Sequence, residues 1–109
     1  MWDLTLPGYK YLGPGNKLNK GTPEGYNDMV AYIHDHAYDK IAKKGGNPYL
    51  NWSKADADAY RKFTANDIGG VAGKTFFGLK KALHDQGYID AVPGTSLFIF
   101  LHGAQEIQA

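Results

Sequence analysis

Cysteine is absent from this 109-residue chain, which excludes disulfide staples and thiolate metal sites and suits folding in a reducing compartment. An excess of one charge is lacking too. Twelve basic residues stand against 11 acidic ones, for a formal net charge of +1, so no chain-wide field favours nucleic acid and no nucleic-acid partner is expected. Long apolar runs are also missing. The longest, Leu97-Phe98-Ile99-Phe100-Leu101, falls far short of the roughly 20 residues a helix needs to cross a bilayer. Met1-Trp2-Asp3-Leu4 has neither the charged start nor the apolar stretch of a secretory signal, so export is not expected and any membrane contact should be peripheral. A chain of this length fits one domain with a modest core, and without cross-links helix packing must hold it together.

What is present is organised by glycine and proline. Leu6 to Gly21 carries Pro7, Gly8, Gly13, Pro14, Gly15, Asn16, Asn19 and Gly21, a density of punctuators that predicts a structured loop. Thr22-Pro23 then offers a helix start, and Tyr26, Met29, Val30, Ile33, Ala37 and Ile41 recur at helical spacing until Gly45-Gly46-Asn47-Pro48 ends the run. A second, shorter helix is predicted from Ser53, with Ala55, Ala59, Tyr60 and Phe63 as its apolar stripe. From Asp67 the residues Ile68, Val71, Ala72, Phe76, Leu79 and Leu83 set a third helical period, despite three glycines between Gly69 and Gly73 that each weaken propensity by roughly 1 kcal/mol. Beyond Gly87 the pattern fades. Residues 88–109 are read as a tail of unassigned structure behind a domain spanning 1–87, and Thr95 to Leu101 fits a strand, a helical turn or a partner-ordered segment equally well.

Polar residues interrupt the apolar stripes in a way packing alone does not explain. At about 100° per residue, His34 falls at the rim of the first helix's stripe, with Asp35 beside it and Tyr38 one turn on. Such groups need partners from elsewhere in the fold. Asp56 on the second helix leans toward the face expected to be buried, and if the two helices pack antiparallel it can meet His34. A carboxylate on one imidazole nitrogen fixes the tautomer and leaves the other nitrogen as a general base that can activate water. The loop Tyr11-Leu12-Gly13-Pro14-Gly15-Asn16 lets backbone carbonyls converge. With the Asp35 carboxylate and water or substrate oxygens, those carbonyls could fill the oxygen shell of a calcium ion.

These residues resemble the phospholipase A2 superfamily, and within it the domain in the unique N-terminal region of parvovirus minor capsid proteins. Tyr11 to Asn16 looks like the family's calcium loop, His34-Asp35-His36-Ala37-Tyr38 like its His-Asp-x-x-Tyr helix, and Asn47-Pro48-Tyr49-Leu50 like its inter-helix turn, with Asp56 where the dyad aspartate belongs. Asp67-Ile68-Gly69-Gly70, Phe76-Phe77 and Lys80-Lys81 extend the likeness to about Leu83, although Ile68 stands where the viral pattern often has tryptophan. The lack of cysteine departs from secreted members and agrees with the viral branch.

The resemblance implies a mainly α phospholipase A2-like fold without disulfides, with two antiparallel catalytic helices, a third amphipathic helix and an N-terminal calcium-binding loop. It implies calcium-dependent hydrolysis of the second glycerol ester of membrane phospholipids, giving a fatty acid and a lysophospholipid. By this resemblance His34 is the base, Asp56 its partner, Tyr38 a hydrogen-bond donor to Asp56, and Gly13 an amide at the oxyanion. Asp35 and the carbonyls of Tyr11, Gly13 and Gly15 hold calcium. The implied setting is a larger viral capsid protein, inside the virion until entry and then acting at the endosomal membrane. For the lipid-facing surface, Trp2, Tyr9, Trp52, Phe76 and Phe77 beside Lys74, Lys80 and Lys81 are candidates, because aromatic rings and lysines suit the headgroup layer.

Plainer readings compete. Ser53-Lys54-Ala55-Asp56 is also a capping-box pattern, in which the acid serves only the helix end. Gly70-Val71-Ala72-Gly73-Lys74-Thr75 lacks the first glycine and the preceding strand of a phosphate-binding loop. His34, His36, His84 and His102 lack a zinc-protease spacing. The glycine loop lacks the alternating acids of an EF-hand. A non-catalytic membrane- or capsid-interaction module on the same helical scaffold is the alternative function.

Overall fold

The computed structural model describes residues 5–13 and 18–92. Three helices make up the body: α1 (Tyr26–Lys43), α2 (Lys54–Lys62) and α3 (Ile68–Asp85). Among the described residues the only β pairing is one parallel bridge between Trp52 and Ala91, so the fold is mainly α, as the sequence implies. Thr95 to Leu101 lies outside the described residues.

The first helix starts later than Thr22-Pro23 suggests. Its N-cap is Gly25, with no side-chain cap, because Asp28 in the first turn binds the preceding chain instead. The Asp28 carboxylate is fully buried and accepts from the backbone N–H groups of Lys10, Tyr11 and Glu24. The Tyr11 hydroxyl donates to the Gly21 carbonyl and accepts from Lys20 N–H. Residues 20–24 are therefore committed to the loop, and the helical dihedrals begin only once those contacts are made.

The second helix begins where expected. Ser53 caps it, and Ser53 and Asp56 form a reciprocal capping box, which satisfies two N–H groups that have no partner within the helix. The third starts at its Asp67 N-cap, whose side chain accepts from Gly70 N–H.

Asn27 fixes the relative direction of all three. It exchanges hydrogen bonds with the backbone of Thr64, just past the end of α2, and donates to the Asp67 side chain at the start of α3. At the other end, Tyr38 of α1 meets Asp56 in the first turn of α2 and Lys80 late in α3. Thus α1 and α2 run antiparallel, as expected, and α3 runs parallel to α1.

The buried faces differ from the apolar stripes. On α1 the covered residues are Asn27, Asp28, Val30, Ala31, His34 and Tyr38, while Tyr26, Met29 and Ile33 are about half exposed. His34 therefore sits in the middle of the packed face and not at its rim. On α3 the packed side is Gly69, Gly70, Gly73, Phe77 and Lys80, and Ile68, Val71, Phe76, Leu79 and Leu83 face outward. The cause is close backbone approach. A side chain at Gly70 would collide with the Thr64 carbonyl, and a Cβ at Gly73 would lie 2.7 Å from the Phe63 ring. The glycines that weaken α3 as an isolated helix are the ones that let it dock. The core they close is Tyr11, Leu12, Val30, Ala31, Ala59, Phe63 and Phe77.

Candidate active site

Helix α1 presents His34 to the first turn of α2, and the imidazole Nε2 lies 2.8 Å from Asp56 Oδ1. A carboxylate can only accept, so Nε2–H is the donor and Nδ1 is left for chemistry. The ring packs against Tyr38 and Phe77, at centroid distances of 4.0 and 4.6 Å, which limits its rotation. Both members of the pair are buried: His34 is 8% exposed and Asp56 0%.

The Asp56 carboxylate is engaged on every side. Oδ1 also accepts the Tyr38 hydroxyl at 2.5 Å, Oδ2 accepts Ser53 N–H at 3.1 Å, and the Lys80 ammonium lies 2.8 Å from Oδ2. One side chain therefore both caps α2 and meets His34. Burial alone would raise the Asp56 carboxyl, but hydrogen bonds from His34, Lys80 and Tyr38, with the Lys80 charge, hold it below the ordinary carboxylate range. Burial, followed by the Asp56 charge, pushes the Tyr38 hydroxyl far up, so it serves as a hydrogen-bond donor and not as an acid.

Next to the pair lies a cavity of about 600 Å³ whose walls include His34, Asp35, Tyr38, Tyr11 and Gly13, with Phe76 and Phe77 also among its lining residues. The histidine, the adjacent acid and Tyr11, Leu12 and Gly13 of the loop thus border one space. Calcium is a hard cation that takes carboxylate and carbonyl oxygens, and Asp35, Tyr11 and Gly13 bring groups of those kinds to the walls of this space. Among the described residues no cluster of three or more His, Cys, Asp or Glu side chains gathers, so a metal here would rely on backbone oxygens and Asp35. Gly15 lies outside the described residues.

The lipid-facing candidates divide. Trp52 is buried at 5% exposure, bridged to Ala91 and stacked on His84. Phe77 belongs to the core. Lys80 is only 6% exposed because three acceptors, from Asp56, Tyr38 and Pro48, surround its ammonium. None of these three is surface. Phe76 is exposed; Tyr9 is half-buried and its hydroxyl accepts from Gly69 N–H; Lys74 reaches the Tyr60 carbonyl and Lys81 pairs with Asp85. Trp2 lies outside the described residues.

Sequence reasoning placed Lys80 on the lipid-facing surface, whereas the structure buries it against Asp56 and Tyr38, and it gave Asp28 no role. Lys80 sits one turn after Phe76-Phe77, on the α3 face that carries Gly73 and Phe77, and that period was the available signal. Asp28 gave none, since a helix read from Thr22-Pro23 places it beyond the first turn.

A profile of the phospholipase A2-like domain family matches residues 2–80. The chain is similar to capsid protein VP1 of porcine parvovirus (strain NADL-2), at 51% identity over 72% of this chain and 11% of that protein. It is similar to capsid protein VP1 of murine minute virus (strain MVM prototype), at 47% identity over 83% of this chain and 12% of that protein. It also resembles minor capsid protein VP1 of primate bocaparvovirus 1, at 46% identity over 72% of this chain and 12% of that protein. The chain thus spans about a ninth of the length of these curated relatives. No solved structure matches it significantly.

Proposed function

The chain belongs to the phospholipase A2-like domain family, and on that premise we propose that it is a calcium-dependent phospholipase A2 acting on the second glycerol ester of membrane phospholipids. The observation that carries this reading is the buried contact between His34 Nε2 and Asp56 Oδ1 at 2.8 Å beside a cavity large enough for part of a lipid.

The chemistry follows from the hydrogen-bond directions. With Nε2–H committed to Asp56, His34 Nδ1 takes a proton from water as the water oxygen attacks the ester carbonyl. The imidazolium so formed is stabilised by the Asp56 carboxylate. It returns the proton to the departing alkoxide, so no acyl-enzyme is needed, and the products are a fatty acid and a lysophospholipid. Tyr38 holds Asp56 in place, and the Gly13 N–H assists at the oxyanion. Calcium, held by Asp35 and the carbonyls of Tyr11, Gly13 and Gly15, would supply positive charge to the substrate phosphate and the oxyanion.

The lipid-facing surface is assigned to the outward stripe of α3, Ile68, Phe76, Leu79 and Leu83, all exposed, with Phe76 also at the cavity wall. Contact of this kind is peripheral: among the described residues no helix is long and apolar enough to cross a membrane. The relatives are named as capsid proteins, which supports a place for this chain in a larger capsid protein, within the virion until entry and then at the endosomal membrane.

The test is fatty-acid release from phosphatidylcholine vesicles, with and without a calcium chelator, comparing the chain with His34→Ala. Release should stop with the chelator and fall by at least about 100-fold in the variant, the usual scale for losing a general base. Activity that survives both treatments rejects the assignment. Vesicle binding without hydrolysis would favour a non-catalytic membrane- or capsid-interaction module.

A further inference from the structure

Lys80 is a lysine almost wholly withdrawn from water, at 6% exposure, on the helix that contributes neither His34 nor Asp56. Its three N–H donors have three acceptors: Asp56 Oδ2 at 2.8 Å, the Tyr38 hydroxyl at 2.7 Å and the Pro48 carbonyl at 2.6 Å. An ammonium can donate but never accept. Its bond to Tyr38 therefore occupies a lone pair of that hydroxyl and turns the phenolic proton toward Asp56 Oδ1. Asp56 in turn can only accept, which commits His34 Nε2–H. The donor order thus runs from Lys80 through Tyr38 to Asp56 and meets the imidazole there.

Charge leads to the same residue. Asp56 is 0% exposed, and a buried carboxylate without a nearby cation takes up a proton or forces the fold to let water in. Ser53 N–H and the Tyr38 hydroxyl are neutral and do not compensate a full charge. Among the described residues Lys80 is the lysine or arginine in contact with the Asp56 carboxylate, and the contact draws α3 against the α1–α2 pair at the level of the dyad.

We propose that Lys80 is a positioning residue of the dyad: by neutralising Asp56 and fixing the direction of the Tyr38 hydroxyl, it holds the carboxylate ionised and oriented on His34 Nε2. This rests on the hydrolytic reading for its consequence in turnover, while the orientation itself is a property of the resting protein.

The experiment has a kinetic arm and a spectroscopic arm. In Lys80→Met, and in Lys80→Gln as a polar uncharged variant, kcat on phosphatidylcholine vesicles should drop roughly 10–100-fold, the scale seen when a group orienting a functional side chain is removed. KM should stay within about threefold, because a lost transition-state contribution lowers kcat rather than substrate binding. The downfield proton signal of the His34 Nε2–H in nuclear magnetic resonance spectra should shift or vanish in the same folded variants. A variant that keeps kcat within about threefold of the parent, or that loses kcat with the imidazole signal unmoved, overturns the proposal. Should both variants fail to fold, the unsubstituted protein decides. Its Lys80 Nζ should give a slowly exchanging ammonium signal set apart from the surface lysines, with through-space contact to the Tyr38 ring, and the absence of that signal overturns the proposal. An inactive parent chain would reject the hydrolytic reading, and the resting-state signals would still decide on Lys80.

Discussion

Asp56 ties all three helices together at the level of the dyad. One oxygen serves His34 and Tyr38, the other Ser53 N–H and Lys80. Asp56→Asn keeps the size but turns one acceptor into a donor, which opposes whichever of those N–H or O–H groups it faces. We expect a fall in fatty-acid release of about 10²–10⁴-fold, the scale of a misdirected general base, measured alongside circular dichroism to show that the helices persist. Activity within tenfold of the parent would mean that the imidazole does not depend on this carboxylate. The contact of His34 with Asp56 was legible in the sequence from helical spacing, given an antiparallel pair, and Ser53 announces where α2 begins; the contact of Tyr38 with Asp56 came from the family resemblance. The role of Lys80 was not legible. Beside Phe76-Phe77 and Lys81 it reads as a headgroup-facing lysine, and its acceptors come from three separate segments that only the assembled fold brings together.

At the scale of elements, the helices were readable and their orientation was not. Periodicity located α1, α2 and α3, but the apolar stripes of α1 and α3 suggested the wrong inward faces. Hydrophobicity marks what prefers to leave water; here the inward side of α3 is set by what fits, and glycine fits against Phe63 and Thr64. The start of α1 was misplaced for a related reason, since nothing in Thr22-Pro23 reveals that Asp28 ties down the backbone at Lys10, Tyr11 and Glu24. The glycine face makes an element-scale prediction. Gly73→Ala should destabilise the domain by about 1–3 kcal/mol, as overpacking does, despite the gain in helix propensity. Gly78→Ala, whose added Cβ meets the Tyr60 ring edge at 3.2 Å, should change stability by less than about 1 kcal/mol, since helix propensity there opposes a mild contact. Chemical denaturation of the two variants compares them directly, and equal effects would remove the close-docking account of α3.

For the whole molecule, the depressed Asp56 carboxyl sets the response to acid. A carboxylate whose folded pKa lies below its unfolded value of about 3.9 adds stability above that value and loses it as pH falls through the folded one. The unfolding midpoint should therefore hold down to about pH 4 on this account and decline below it. Asp56→Asn should flatten that acid limb; an unchanged limb would assign the acid response to other groups. Asp67 and Asp85 are shifted the same way, but at the surface, where screening leaves them little influence. The outward side of α3 gives a second expectation at this scale. Phe76→Asp with Leu79→Asp should weaken binding to phosphatidylcholine vesicles, measured by co-sedimentation, while turnover of a soluble monomeric ester substrate falls less. If vesicle binding is unaltered, lipid meets another face.

The reciprocal cap at Ser53 and Asp56 makes the start of a helix and the orientation of the His34 imidazole a single event. Fraying at that end of α2 would swing the carboxylate off the imidazole. Such a protein has no loosened but competent intermediate to pass through, and on warming its turnover and its α2 helicity should vanish together.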